Sequence, residues 1–111
     1  MNVPDHGHVV WLHFNPQARH EQAGHSPALV LSPASYNGRI GRALFCPMTS
    51  QIKGYPVEVR IEGNSAISGV ALAGQIKNLD WRVWGVKYVA TADVSVFEEV
   101  VAKFEALLHP E

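Results

Sequence analysis

The sequence has a single cysteine, no long apolar run and no leader of the secretory kind. Because Cys46 stands alone, an intrachain disulfide is excluded, and a reducing compartment is the simplest setting. No apolar stretch approaches the roughly 20 residues that cross a bilayer, and residues 1–6 lack the basic start and apolar stretch of a signal peptide. These absences predict a cytoplasmic protein without a membrane segment.

Charged residues are also few, at 17% of the chain, and their formal sum is −1. This balance argues against binding of nucleic acid through overall positive charge, but it allows a local basic groove. Hydrophobic residues make up 47% of 111 positions, as in a globular chain that buries a core. We expect one domain over residues 1–111, and a chain this short can cover more apolar area by forming oligomers.

Short apolar runs rich in β-branched and aromatic residues are what the chain does contain. They are too short for helices and end at turn-forming pairs such as Asn15-Pro16 and Ser32-Pro33. They predict five or six strands, at residues 9–14, 28–31, 43–48, 57–61, 69–73 and 83–89. Residues 35–38 predict a turn, and we expect Leu12, Phe14, Leu29 and Cys46 in the core.

Helical periodicity is clear at the C-terminus. The apolar positions that share one helical face are Phe97, Val100, Val101, Phe104, Leu107 and Leu108. Ser95 and Glu98 have the spacing of a capping box, and Glu99 and Lys103 that of an ion pair one turn apart. The pattern predicts a mainly β fold, in which a small, strongly curved antiparallel sheet or partly open barrel is sealed by this helix.

Seven segments of distinctive sequence follow one another along the chain. They are Val3-Pro4-Asp5-x-Gly7, Asn15-Pro16, Glu21-Gln22-Ala23-Gly24, Pro27 to Pro33, Tyr36-Asn37, Pro47-x-Thr49-Ser50-Gln51-x-Lys53-Gly54-Tyr55-Pro56 and Gly69-Val70-Ala71-Leu72-Ala73-x-Gln75-Ile76-Lys77. In order and spacing these segments resemble the MazF/PemK family of toxin endoribonucleases. The resemblance implies an SH3-like barrel of the CcdB/PemK type, a homodimer and a groove for single-stranded RNA at the dimer surface. It also implies sequence-specific cleavage without metal or other cofactor, and inhibition by an antitoxin with a disordered acidic tail.

Position 26 departs from the family pattern. RNA cleavage in the family is attributed to an arginine before Pro-Ala, where this chain has Ser26, together with residues that Thr49 and Glu21 match. An arginine offers a fixed fork of donors that suits a phosphate, whereas a serine has one neutral donor on a short stem. We therefore expect impaired cleavage, unless His25 or His13 acts as an acid or base instead.

Polar and aromatic residues after Thr49 are candidates for RNA contacts. The residues predicted to bind RNA are Gln51, Lys53, Gln75, Lys77 and Arg82. Bases would stack on Tyr55, Trp81 and Trp84 beside these groups. The alternative is that the cations are scattered over the surface and the tryptophans pack in the core. The chain departs from the family at four further positions: Gly74, His8 and His13 stand where aspartates are common, and Trp84 stands where a basic residue is usual. Together with Ser26, these departures argue against cleavage and, to a smaller degree, against RNA affinity.

Histidine spacing argues against a metal site. His20 and His25 are five positions apart and Gly24 interrupts any helix, so the pair cannot share one helical face as zinc ligands do. Two other functions are alternatives to the toxin hypothesis. One is an inactive relative that still binds antitoxin or RNA, and the other is a CcdB-like gyrase inhibitor, against which the glutamate loop and the Thr49-Ser50-Gln51 motif argue.

Overall fold

A computed structural model describes residues 2–13, 25–61 and 68–109. In chain order its elements are β1 (His8–His13), β2 (His25–Val30), α1 (Ala34–Ile40), β3 (Ala43–Thr49), β4 (Glu58–Ile61), β5 (Gly69–Leu72), β6 (Lys77–Leu79), α2 (Trp81–Trp84), β7 (Val86–Thr91) and α3 (Val94–Leu108). The predicted class, mainly β with a C-terminal helix, is confirmed. The predictions for Glu21 and Phe14 lie outside the described residues.

The strands form one antiparallel sheet in the order β4-β5-β3-β2-β1-β7, and β6 pairs with β3 beside this path. Among the described strands no pairing joins β4 to β7, so the sheet is open. The count of five or six strands is wrong, because β6 was missed: two of its three residues, Lys77 and Asn78, are polar, and they give no alternating apolar signal.

The prediction of a strand over residues 83–89 is wrong in its first part. The Asp80 carboxylate accepts hydrogen bonds from the N–H groups of Arg82 and Val83 at 3.1 and 3.3 Å, which caps α2. Gly85 then ends the helix with a φ of 76°. The strand begins only at Val86, because the polar cap and the glycine outweigh the apolar run between them.

The predicted turn at residues 35–38 lies inside α1. Gly41 ends this helix in the left-handed conformation, with a φ of 81°, and its N–H donates to the carbonyl of Asn37 at 2.9 Å. The side chain of Asn37 is buried, and its amide donates to the carbonyls of Pro4 and Ser32 at 2.7 and 2.9 Å. The hydrogen bonds of the buried Asn37 side chain therefore accompany a helix, whereas the turn propensity of asparagine and glycine had predicted a turn.

The C-terminal helix is confirmed, but two of its predicted details are wrong. Its N-cap is Asp93, and Ser95 donates to that carboxylate at 3.2 Å, so no capping box forms at Ser95. Leu107 and Leu108 share the apolar face by spacing but are exposed, at 50% and 60%. The predicted pair of Glu99 and Lys103 is confirmed at 3.4 Å. No helix among the described residues is long and apolar enough to span a bilayer.

Two apolar clusters lie on opposite faces of the central strands, because neighbouring strand residues point to opposite faces. The α3 core consists of Val9, Leu29, Cys46, Met48, Val59, Ile61, Ala71, Ala73 and Val100. The α2 core consists of Val10, Leu12, Ala28, Val30, Ala43, Phe45 and Trp81. The expected burial of Leu12, Leu29 and Cys46 is confirmed, and burial raises the pKa of the Cys46 thiol to about 12, which keeps it protonated.

Candidate functional site

A cleft of about 190 Å³ opens over the α2 core, between β1, β2, β3, β6 and the end of α2. Strand pairing brings its residues together. Leu12 lies opposite Ser26 across β1 and β2, and Phe45 lies opposite Lys77 across β3 and β6. The family's arginine position and one predicted RNA-binding lysine are therefore on the same cleft, although they are 51 positions apart in the chain.

Thr49 ends the strand that forms the floor of this cleft. Phe45 and Pro47 line the cleft, and alternation along β3 places Thr49 on the same face. Its hydroxyl accepts a hydrogen bond from the N–H of Gln51 at 3.1 Å, so the side chain also shapes the turn that follows. A Cβ at Gly69, where φ is 136°, would collide with the Thr49 carbonyl oxygen, so the close approach of β5 requires glycine there.

The loop of residues 50–56 presents Gln51 and Lys53, both exposed, beyond the end of β3. A buried carboxylate holds this loop. Glu58 accepts from the N–H of Lys53 at 3.2 Å and from that of Gly54 at 2.9 Å. The Glu58 carbonyl in turn accepts from the Lys103 ammonium at 3.0 Å, which ties the loop to α3.

Glu58 is a site residue that sequence reasoning missed. Period-two alternation over residues 57–61 assigned it to a solvent-facing position, yet it is 9% exposed. A useful signal was present: Gly54 lies four residues earlier and adopts a φ of 81°, which turns consecutive N–H groups toward a single acceptor. Charge-assisted hydrogen bonds of this kind are roughly twice as strong as neutral ones.

The remaining predicted RNA contacts are spread over other elements. Gln75 is exposed in the turn before β6, where its N–H donates to the Leu72 carbonyl at 2.9 Å. Arg82 is exposed on α2 and donates to the Gly38 carbonyl at 3.3 Å, so its guanidinium faces α1 and not the cleft. The structure thus brings Ser26 and Lys77 together and leaves Arg82 beside another helix.

The aromatic set of the sequence analysis is also divided. Trp81 is 4% exposed, and its indole N–H donates to the Asn37 carbonyl at 2.9 Å, so its assignment as a stacking platform is wrong. Trp84, three residues later, is half-buried and lines the cleft. Tyr55 is exposed on the loop of residues 50–56. One helical turn therefore separates a core tryptophan from one that a ligand can reach.

Two further residues that were predicted to be catalytic are Glu21 and His25. Glu21 lies outside the described residues, and the backbone of His25 begins β2 opposite His13. The N–H of His13 donates to the Gly85 carbonyl at 2.9 Å, which fixes the end of β1 against the end of α2. Within the described ranges, no group of three or more histidine, cysteine, aspartate and glutamate side chains is arranged to hold a metal ion.

Comparisons with known proteins agree with this geometry. A family model described as PemK-like, MazF-like toxin of type II toxin-antitoxin system matches residues 5–108. The chain is 43% identical to the endoribonuclease toxin MazF of Escherichia coli (strain K12), over 96% of this chain and 95% of that protein. A crystal structure of MazF from Deinococcus radiodurans is 50% identical with a TM-score of 0.86, and the match covers 99% of this chain and 100% of that one. A chain of a MazE–MazF crystal structure from the same organism is 44% identical with a TM-score of 0.88, and the match covers 100% of both chains. This chain therefore belongs to the PemK-like, MazF-like toxin family of type II toxin-antitoxin systems.

Proposed function

We propose that this chain is the toxin of a toxin-antitoxin pair, that it binds single-stranded RNA along the cleft, and that it cleaves RNA poorly. The observation that carries the proposal is the near full-length match to an endoribonuclease toxin, combined with a serine at position 26 on the cleft. Because the strands around Ser26 still form the cleft, we expect RNA binding to be kept while cleavage is impaired.

The chemistry of RNA cleavage without a metal explains why one residue matters. A base must take the proton of the 2′-hydroxyl, an acid must give a proton to the leaving 5′-oxygen, and a cation or donors must stabilise the charge that builds on phosphorus. Ser26 contributes one neutral donor, and Lys77 is a point charge without the planar fork of an arginine. Removal of such electrostatic stabilisation typically lowers the rate about a hundred- to a thousandfold.

Cleavage of a long single-stranded RNA tests the proposal. We expect Ser26→Arg to raise the specific cleavage rate about a hundred- to a thousandfold over the unmodified chain. Ser35→Arg is the matched control, because it adds the same group at an exposed position on α1, outside the cleft lining. Equal cleavage by the unmodified chain and Ser26→Arg would contradict the proposal and direct attention to His25. Binding without cleavage by both would support the inactive relative.

The proposed partners are a second copy of the chain and an antitoxin. The Deinococcus structure in which MazE accompanies MazF supports an antitoxin partner here, and an acidic tail would compete with RNA for the same groove. Sedimentation equilibrium at micromolar concentration tests the homodimer, since a single species at 12.2 kDa would contradict it. Competition between RNA and a synthetic acidic peptide tests the shared groove.

A further inference from the structure

The walls of the cleft are apolar and its rim is polar. Leu12, Phe45, Leu79 and Trp84 form the walls, whereas Ser26 and the exposed Lys77 stand at the rim. Apolar walls with a few placed polar groups are typical of sites for small organic ring systems.

Trp84 holds a defined place in this wall. It is the last residue of α2, whose first turn is capped by Asp80. Directly after it, the Gly85 carbonyl accepts the His13 N–H at 2.9 Å, and Gly85 lies so close to β1 that an added Cβ would be 3.6 Å from the His13 Cβ. Both ends of the helix are therefore anchored, and Trp84 lines the cleft together with Leu12.

The size and charge of the cleft select its occupant. A volume of about 190 Å³ is below the roughly 300 to 1,000 Å³ of sites for drug-sized ligands, so the cleft holds one ring system and not a whole nucleotide. An unpaired base has flat faces that stack on aromatic side chains, and the strand that carries it has a phosphate on each side. Lys77 at the rim complements that phosphate.

We propose that the cleft binds one unpaired nucleobase of an RNA strand, stacked against the Trp84 indole, with the neighbouring phosphate at Lys77. The inference rests on the proposed function, because it assumes that a single strand lies along this face. It makes Trp84 a determinant of which nucleotide stands next to position 26.

Abasic scanning of a short RNA strand tests the site. The strand carries 2′-O-methyl groups so that it cannot be cut, and each base in turn is replaced by hydrogen. We expect the unmodified chain to lose about five- to a hundredfold in affinity at one position, as is typical of a lost base–aromatic stack. Trp84→Leu should lower the affinity for the intact strand by a similar factor, and the abasic change at that position should then have no further effect.

Two further variants make the test specific. Trp84→Phe keeps an aromatic ring and should retain most of the position-dependent loss. Val83→Ala changes an exposed neighbour on the same helix that does not line the cleft, and it should leave the abasic profile unchanged. Circular dichroism on every variant establishes that the comparison is between folded proteins.

If Trp84→Leu and every abasic change lower RNA affinity by independent factors that multiply, the proposed base site is wrong. Strand binding, and with it the proposed function, would survive that result. An unchanged abasic profile in Trp84→Leu would also overturn the site, because the base would then not stack on Trp84. Failure of the unmodified chain to bind any strand at low salt would overturn both proposals together.

Discussion

The two faces of the central strands are built from similar residues but closed to different degrees. The α3 core is covered by a 15-residue helix, which inserts the fully buried Val100. The α2 core is covered by a four-residue helix, which inserts Trp81 and leaves Trp84 half-buried at the edge of a cleft. The long helix thus completes a hydrophobic core, whereas the short one leaves apolar surface open to a ligand.

Charge follows the same division. The outer side of α3 carries Glu98, Glu99 and Glu105, whereas the exposed cations Arg42, Lys77 and Arg82 lie around β6 and α2. Of these three cations, only Lys77 lines the cleft. The cleft is therefore bordered by a cation, whereas the outer side of α3 presents several carboxylates.

The largest expected effect comes from truncating a core residue on each face. Phe45→Ala should lower the free energy of unfolding by about 3–5 kcal/mol, because it leaves a cavity under the cleft. Val100→Ala removes fewer atoms and should cost about 2 kcal/mol. Urea unfolding measures both. RNA affinity of the folded fraction should fall in Phe45→Ala alone, and an equal fall in both variants would contradict the functional difference between the faces.

Glu58 holds the loop of residues 50–56, and its removal is the next largest change. Glu58→Ala leaves the N–H groups of Lys53 and Gly54 without their acceptor, at a cost of about 1–3 kcal/mol. Glu58→Gln keeps one acceptor oxygen and should cost less. Hydrogen exchange at Lys53 and Gly54 should accelerate in both variants, most in Glu58→Ala. Glu98→Ala removes an exposed carboxylate on α3 and is the control, and an equal effect there would contradict the role of Glu58 in holding the loop.

Salt dependence of RNA binding compares two exposed lysines. Lys77→Ala should weaken binding several-fold and reduce the slope of log affinity against log salt by about 0.7, the value for one phosphate contact of a single strand. Lys87→Ala on β7, outside the cleft lining, should leave the slope unchanged. Fluorescence anisotropy at several salt concentrations measures both, and identical slopes for the two variants would place the strand elsewhere.

The smallest expected effect concerns Asp5, which joins the N-terminal segment to α1. The Ala34 N–H donates to its carboxylate at 2.8 Å and lowers the pKa of Asp5 below its ordinary 3.8. Its contribution to stability is therefore full above that ordinary value and is lost as the pH falls through the lower native pKa. Unfolding of the unmodified chain and of Asp5→Asn should differ slightly at pH 7 and converge in strong acid. A stability difference between the two proteins that grows as the pH falls would contradict the lowered pKa of Asp5.

Local sequence patterns located the elements whose structure follows from the periodicity of their own apolar residues. Alternation and β-branched runs located β1, β3, β4 and β5 to within one or two residues at the bounds described, and period 3.6 located α3. Local pattern failed at the short elements α1, α2 and β6. Contacts distant in the chain stabilise all three, although α2 also has a local cap at Asp80. The Trp81 bond to the Asn37 carbonyl, for example, spans 44 positions.

By itself, the sequence determined the family, the strand-rich class and the substitution of serine at position 26, because these depend on residue identity and order. The tertiary structure alone decided that Ser26 and Lys77 share one cleft, and that Trp84 and not Trp81 lines it. The physical reason is that strand register and helix anchoring join residues distant in the chain, and the hydrogen bonds that set them have partners that no local pattern reveals.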